Sequence, residues 1–503
     1  MLAAKNGHQD VVELLVGKGA NLSLVDKTGD NILHCACRGG DAEVVKYILS
    51  HGMLDINNLG PRKKTPVIVD INNRGWKRRT PVMVAAEQGH KEVVELLVKH
   101  GTDLSLKVAN NLHGACYSGQ FYAVNCVLSL NLVDLKRGGW KIRIPMMVAA
   151  KVGSKDIVEW LLRNEANLSL RDEEGQNILH LASHKGHVDV VKYVLSLNSV
   201  GINSRGMEDR TPVMAAAENG QKEVVELLVE HGANLVLCDM DGNNILHIAC
   251  YEGHLDVVKY LLSLNSVDIN SRGFLMMTPV MTAAENGHRE LVELLVKHGA
   301  NLLLRDIDGD DTLHYACYAE HIEVVKYLLS LNSVDINSRG MEKRTPVMAA
   351  AQHALRKMVE LLVKHGANLL LSDIRGNNIL HCACTAGHFD IVKYLLSLNS
   401  VDINSRGMEK RTPVMAAAQH GHRKMVELLV KHGANLLLSD IRGNNILHCA
   451  CTAGRFDVVK YLLSLNSVDI NSRDMAKRTP VMVAGQHGHK KVVKLLVKHG
   501  ADL

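Results

Sequence analysis

The sequence predicts an all-α fold of stacked helix–turn–helix units, and three observations carry that prediction. Thr211-Pro212-Val213-Met214 returns at Thr278, Thr345, Thr412 and Thr479, always 67 residues on. Within that period a second phrase, Asn244-Ile245-Leu246-His247, begins 33 residues after Thr211, so each unit is a pair of related halves of 33 and 34 residues. Each half ends in an apolar stripe at helical spacing, closed by a turn residue. Two helices this short cannot bury a core alone, so a fixed period in this range means that neighbouring repeats stack.

Each element has a local reason. Thr211 is placed as an N-cap and Pro212 as the first helical residue, where its missing N–H costs nothing. Ala215-Ala216-Ala217 is small enough for close helix contact, and Gly220 ends the short helix. The second helix, from about Lys222 to His231, puts Val224, Val225, Leu227 and Leu228 on one face, and Gly232 supplies its left-handed stop. In the second half Asn244 takes the cap, and Asn265-Ser266 replaces the terminal glycine. That exchange accounts for the extra residue.

These halves resemble ankyrin repeats, whose hallmark is a Thr-Pro-Leu-His turn before paired alanines, then Gly-His, Val-Val and Leu-Leu. The chain splits the hallmark. The first half keeps Thr-Pro with Met in place of His; the second keeps Leu-His (His247), and Gly253-His254, Val257-Val258 and Leu261-Leu262 follow. The resemblance implies an ankyrin-repeat solenoid with β-hairpin finger loops, in about fifteen repeats. The expected organisation is a single array over 1–503, irregular in 1–144 and regular in 145–503. The irregularities are a 15-residue tandem duplication (Asp55-Ile56-Asn57-Asn58 and Asp70-Ile71-Asn72-Asn73), a shortened finger at 106–111, Asn125 inside a helix, and Ile144 at a Thr cap. A weak stack is expected there. Both ends stop inside a repeat, which reads as a fragment of a longer array.

Composition and motifs bound the chemistry. The net charge of +5 is too balanced to argue for nucleic acid, and aromatics make up only 4%, so no stacking platform interleaves the basic residues. No apolar run reaches membrane length, and the first residues do not form a signal peptide. Most of the 11 cysteines, among them Cys250, Cys317, Cys384 and Cys451, stand where the repeat wants a small buried residue. That usage points to an intracellular, most simply cytoplasmic, setting. Three helices open His-Cys-Ala-Cys (His34, His381, His448), but each offers at most three ligands without zinc-loop spacing, so no metal is expected. No phosphate loop, zinc-protease helix or nucleophile elbow appears. Neither catalytic residues nor cofactors are expected.

What remains is a binding surface. The resemblance places the concave face at the residues before the glycine of each first helix. Those vary from Glu87-Gln88 through His184-Lys185, Tyr251-Glu252 and Tyr318-Ala319 to Gln486-His487 on a constant framework. Basic clusters recur at the fingers: Arg62-Lys63-Lys64, Lys77-Arg78-Arg79, Lys343-Arg344, Lys410-Arg411 and Lys477-Arg478. One finger departs from them, reading Gly273-Phe274-Leu275-Met276-Met277. Four apolar residues at an exposed tip mark an anchor, expected to work with Tyr251 and Tyr318 and to be flanked by Arg210, Lys343 and Arg344. The expectation is a monomeric, non-catalytic scaffold for protein partners, fitted to an extended peptide with apolar residues between acidic ones. The alternative is a targeting or regulatory segment of a larger enzyme, channel or membrane-skeleton adaptor. The resemblance also implies possible asparaginyl hydroxylation at Asn203, Asn270, Asn337, Asn404 and Asn471, with hydrogen bonding within the Asn's own turn as the plainer role.

Overall fold

The computed structural model describes residues 1–50, 81–100 and 145–502, with a few isolated positions left out (23, 25, 28, 29 and 332) and positions 116, 119 and 124 added. The duplication, the shortened finger, Asn125 and Ile144 lie outside the described residues, as do the two basic clusters before residue 80. Two compact units are present, Met1–Ala249 and Cys250–Leu503, and both are built from the same motif.

The repeat at Thr345 shows the construction. Thr345 has extended backbone (φ −90°, ψ 159°), and Pro346–Gln352 follows as a helix with Pro at its first position. Arg356–Lys364 runs back, then Ile379–Ala386 and Phe389–Ser397 repeat the pair. First helices pack on first helices of the adjoining halves, and second helices form a layer behind them. Ala350, Ala351, Met358, Val359 and Leu362 are fully buried between the layers. Each such Val or Leu contributes about 1.5–3 kcal/mol, which no single repeat can collect without its neighbour.

The helix limits follow the local signals. Pro212–Glu218 ends at Asn219, with Gly220 in the left-handed region (φ 68°). Lys222–Glu230 ends at His231, with Gly232 at φ 88°. Asn265 takes the left-handed conformation (φ 50°) in place of that glycine, as Asn198, Asn399 and Asn466 do in their repeats. The Asn caps bond as caps should: Asn378 Oδ1 accepts from the His381 amide at 3.2 Å, and His381 Nδ1 accepts from the Asn378 amide at 3.3 Å. The threonines differ from expectation. They sit at the cap position, yet among the described residues the buried hydroxyls of Thr211, Thr345, Thr412 and Thr479 have no hydrogen-bond partner. Met occupies the place where the second half carries His, and its sulfur takes the reciprocal bond as a weak acceptor, from the Thr211 amide at 3.4 Å and the Thr278 amide at 3.3 Å, while Thr278 Oγ1 accepts the Met281 amide at 3.4 Å.

The fingers also differ from the expected β-hairpins. Among the described residues no finger forms a strand. The fingers at 206–210, 273–277, 340–344 and 407–411 are instead tight turns with two consecutive left-handed residues, such as Glu342 and Lys343 (φ 54° and 58°), closed by the Arg344 amide on Met341 O at 3.0 Å. This is type I′ turn geometry without a ladder behind it.

Candidate functional site

The finger turn positions a short charged sequence in the same way in most repeats. Arg210 donates to Glu218 at 2.8 Å and lies 3.1 Å from Glu208 and 3.7 Å from Asp239. Arg411 lies 2.6 Å from Glu409, donates to Gln419 Oε1 at 3.0 Å and reaches Asp440 at 3.5 Å. Arg344 pairs with Glu342, which also receives Arg375 Nη2 at 2.8 Å. The expected basic ladder is therefore corrected. Among the described residues its arginines, Arg344, Arg411 and Arg478, pair with neighbouring carboxylates, and the lysines Lys343, Lys410 and Lys477 stand exposed.

The finger at 273–277 keeps the turn and changes the chemistry. Gly273 N donates to Met277 O at 2.9 Å, and Leu275 and Met276 are left-handed (φ 52° and 65°), as their charged counterparts are. Phe274, Leu275 and Met276 are 49%, 44% and 49% exposed, whereas Met277 is buried at 6%. The tip thus presents three apolar side chains and not four, because the last position points into the repeat as the finger arginines do. Leu275 O accepts the Ile307 amide of the next finger at 3.0 Å, and Ile307 is itself exposed. Leu275 and Met277 stand where Glu342 and Arg344 stand 67 residues on, so an ion pair has been exchanged whole for an apolar pair.

The acceptors left behind have adjusted. Glu285, the counterpart of Glu218, has no finger arginine opposite it, and partial burial holds its carboxyl above the usual range. Asp306, the counterpart of Asp239, accepts the Tyr315 hydroxyl at 2.5 Å. Of the two tyrosines expected beside the anchor, Tyr251 is exposed. Tyr318 is half-buried, edge-on to His353 with ring centroids 5.9 Å apart, and its hydroxyl lies 3.5 Å from Asp310 Oδ1.

The five asparagines hold a different place from the one expected. Each side-chain oxygen accepts a backbone amide of the next repeat: Asn203 from Asn234, Asn270 from Asn301, Asn337 from Asn368 and Asn404 from Asn435 at 2.8 Å, and Asn471 from Asp502 at 2.9 Å. They bridge repeats and do not close their own turn. A second stitch was missed in the sequence. Arg272 Nη1 donates to Met276 O at 2.6 Å and to Arg305 O at 2.5 Å, one finger further on. Arg171, Arg205, Arg305, Arg339 and Arg406 make the same fork. The recurring Asn-Ser-Arg is the available signal for Arg205, Arg272, Arg339 and Arg406, whereas Arg171 and Arg305 stand in Leu-Arg-Asp.

The histidines at the caps and turns and the cysteines of the first helices are packed into the repeat. His381 uses Nδ1 at its Asn cap, and its Nε2 donates to Arg411 O at 3.0 Å, so both ring nitrogens are engaged. His288, from a Gly-His pair, donates to Tyr251 O at 3.0 Å, and a Cβ added at Gly253 would come within 2.5 Å of its ring. Cys250, Cys317, Cys384 and Cys451 are fully buried, and burial pushes their thiols well above the ordinary value. Among the described residues no three His, Cys, Asp or Glu side chains gather as a metal site, and no helix is long and apolar enough to cross a membrane.

Comparison with known proteins agrees with this architecture. The chain is 26% identical over 363 residues to "Transient receptor potential cation channel subfamily A member 1" of Drosophila melanogaster, covering 68% of this chain and 30% of that protein. The Homo sapiens protein of the same name is 26% identical over 407 residues, covering 71% and 36% respectively. The "B-cell lymphoma 3 protein homolog" of Mus musculus is 27% identical over 264 residues, covering 51% of each. The chain thus spans about a third of the length of the two channel proteins. A family model described as ankyrin repeats (3 copies) matches 1–108, 62–136, 112–206, 197–273, 273–340, 331–407, 398–474 and 436–503, leaving no stretch unmatched. The chain belongs to the ankyrin-repeat family.

Proposed function

We propose that the chain is a non-catalytic scaffold that binds partner proteins, with its main anchor at the finger formed by Phe274, Leu275 and Met276. One observation carries this reading. Three large apolar side chains stand about half exposed on a turn whose sister turns follow Met with Glu-Asp, Glu-Lys or Ala-Lys at the same positions. Solvent-exposed apolar clusters are costly to solubility and typical of interface cores. Tyr251 adds an exposed aromatic surface in the same compact unit.

The test is affinity purification with quantitative mass spectrometry, comparing the natural chain with a Phe274→Ser, Leu275→Ser variant. Specific partners should be depleted by roughly tenfold in the variant, the scale of an interface anchor, while its circular dichroism and melting curve stay nearly unmoved. Equal recovery from both chains would place the anchor elsewhere.

A second reading is favoured by the comparisons: the array serves as the regulatory or targeting segment of a larger protein, as the partial coverage of the channel proteins suggests. The two readings are compatible, and an intracellular setting suits both. Hydroxylation of Asn203, Asn270, Asn337, Asn404 and Asn471 is a further proposal from the family resemblance. The inter-repeat bond uses the side-chain oxygen, so a hydroxyl on Cβ leaves that bond in place.

A further inference from the structure

The exchange of charge at the 273–277 finger specifies the partner's chemistry, and this inference rests on the finger being the docking site. Sister fingers show what surrounds Leu275. A single guanidinium spans the counterparts of Leu275 and Glu285, since Arg210 lies 3.1 Å from Glu208 and 2.8 Å from Glu218. A single carboxylate spans the counterparts of Met277 and Asp308, since Glu409 lies 2.6 Å from Arg411 and 3.0 Å from Arg442. Leu275 therefore stands with an acidic residue on either side, Glu285 towards the helix and Asp308 on the next finger.

Both residues reach solvent, Glu285 with its carboxyl partly buried against the repeat. Asp308 has changed sign relative to Arg375 and Arg442, and the arginine that would meet Glu285 has become Met277. The nearby cations do not replace it: Arg272 Nη1 is held by the carbonyls of Met276 and Arg305, and Arg305 Nη1 by that of Gly309 at 3.0 Å. Ile307, joined to Leu275 through its amide, extends the apolar surface between the two acidic positions.

We propose that this surface docks a protein segment whose apolar side chains are flanked by lysine or arginine, the apolar groups on Phe274, Leu275, Met276 and Ile307 and the cations on Glu285 and Asp308. Charge complementarity decides the sign. Arg344, on the next such finger of the same unit, already has a carboxylate partner in Glu342, so an acidic segment finds like charge at Glu285 and Asp308. A basic segment supplies from outside the cations that Arg210 brings to Glu218 and that Arg375 and Arg442 bring to Glu342 and Glu409 in sister fingers.

Selection of random-sequence displayed peptides on the full chain tests the inference. Enriched peptides should carry Lys or Arg beside apolar residues. They should lose affinity by about tenfold, the scale of a paired charge at an interface, in a Glu285→Gln, Asp308→Asn variant. A Leu275→Glu, Met277→Arg variant, which copies the sister fingers and so keeps their fold, should abolish binding by filling the surface from within. Peptides that need Phe274 and Leu275 but are acidic, or that ignore Glu285→Gln with Asp308→Asn, would overturn the charge inference and leave the docking finger standing. Peptides whose binding survives Phe274→Ser with Leu275→Ser, or no enrichment at all, would overturn both.

Discussion

Tyr315 donates its hydroxyl to Asp306 Oδ2 at 2.5 Å, in the place where two other repeats bring a finger arginine to the corresponding carboxylate. Arg210 reaches Asp239 at 3.7 Å and Arg411 reaches Asp440 at 3.5 Å, and in those repeats the tyrosine position is Ile248 or Cys449. The array has thus made two linked exchanges, Arg to Met277 and a small or aliphatic residue to Tyr315. A buried carboxylate keeps its partner through both.

Tyr315→Phe should therefore be felt locally. Asp306 is buried, and removing its side-chain donor costs about 1–3 kcal/mol. Because each repeat leans on its neighbours alone, hydrogen exchange across 306–318 is the right probe. Faster exchange there, with distant repeats unchanged, is the expected result. Adding Met277→Arg to the variant should restore protection, and no recovery would show that the two exchanges are independent.

The cap at Asp311 predicts a histidine unlike its sisters. Burial drives His180 down to about 4 and lowers His381 and His448. His314 is as buried, but the Asp311 carboxylate 2.8 Å from Nδ1, with Asp310 3.8 Å from Nε2, holds it above the ordinary value. Burial acts against the Asp311 carboxylate, yet its bond to His314 brings it below the usual range. The His314 contribution to stability is full below the unfolded pKa and is lost as pH rises through the folded one. That of Asp311 is present above the unfolded carboxylate pKa and is lost as pH falls through its depressed folded value. The pair thus stabilises fully between the two unfolded pKa values, 3.8 and 6.5, and loses that contribution outside them as each folded value is passed. His180 acts oppositely, since the unfolded state takes up its proton first and stability falls from pH 6.5 towards 4. NMR titration should find His314 above 6.5, and below it in Asp311→Asn.

Ala354 has φ 66°, where its near-identical sister repeat carries Gly421 at φ 82°. Alanine in the left-handed region costs about 1–2 kcal/mol, partly offset by glycine's greater unfolded-state freedom. Ala354→Gly should raise the stability of the repeats around it by about 0.5–1 kcal/mol, read as a higher denaturant midpoint for exchange in 346–364. A lower midpoint would mean that the alanine side chain packs favourably enough to outweigh the strain.

Asn337→Ala should free the Asn368 amide, which now donates to the Asn337 side chain at 2.8 Å. The cost is about 1 kcal/mol, the net worth of such a bond. Exchange at Asn368 should quicken while the helices Pro346–Gln352 and Arg356–Lys364 keep their protection. Unchanged exchange at Asn368 would show that the stitch does not protect it.

Much of the fold was legible without coordinates, because its determinants are local. The 67-residue period, the apolar stripe of Val224, Val225, Leu227 and Leu228, and the left-handed stops at Gly232 and Asn265 each depend on residues within a turn or two of one another. The odd finger was visible too, since Phe274-Leu275-Met276 breaks a repeated phrase. Less legible was what each side chain meets. The basic look of Lys343-Arg344 suggested free cations, and the Asn-Ser-Arg phrase passed without notice.

By itself, then, the sequence determined the stacked helical repeat, where each helix starts and stops, and which finger is unlike the rest. Only the tertiary structure decided which charges remain available. Arg375 meets Glu342, 33 residues earlier, and Asn337 meets the amide of Asn368, 31 residues later, because stacking brings successive fingers into register. It also decided that Met277 is buried, that Tyr315 stands in for the missing arginine at Asp306, and that partial burial raises the Glu285 carboxyl where no finger arginine stands opposite. The physical reason is the reach of the forces involved. Helix periodicity and turn conformation are set by neighbours in the chain, whereas hydrogen bonds and ion pairs act over a few ångströms between side chains that only stacking makes neighbours.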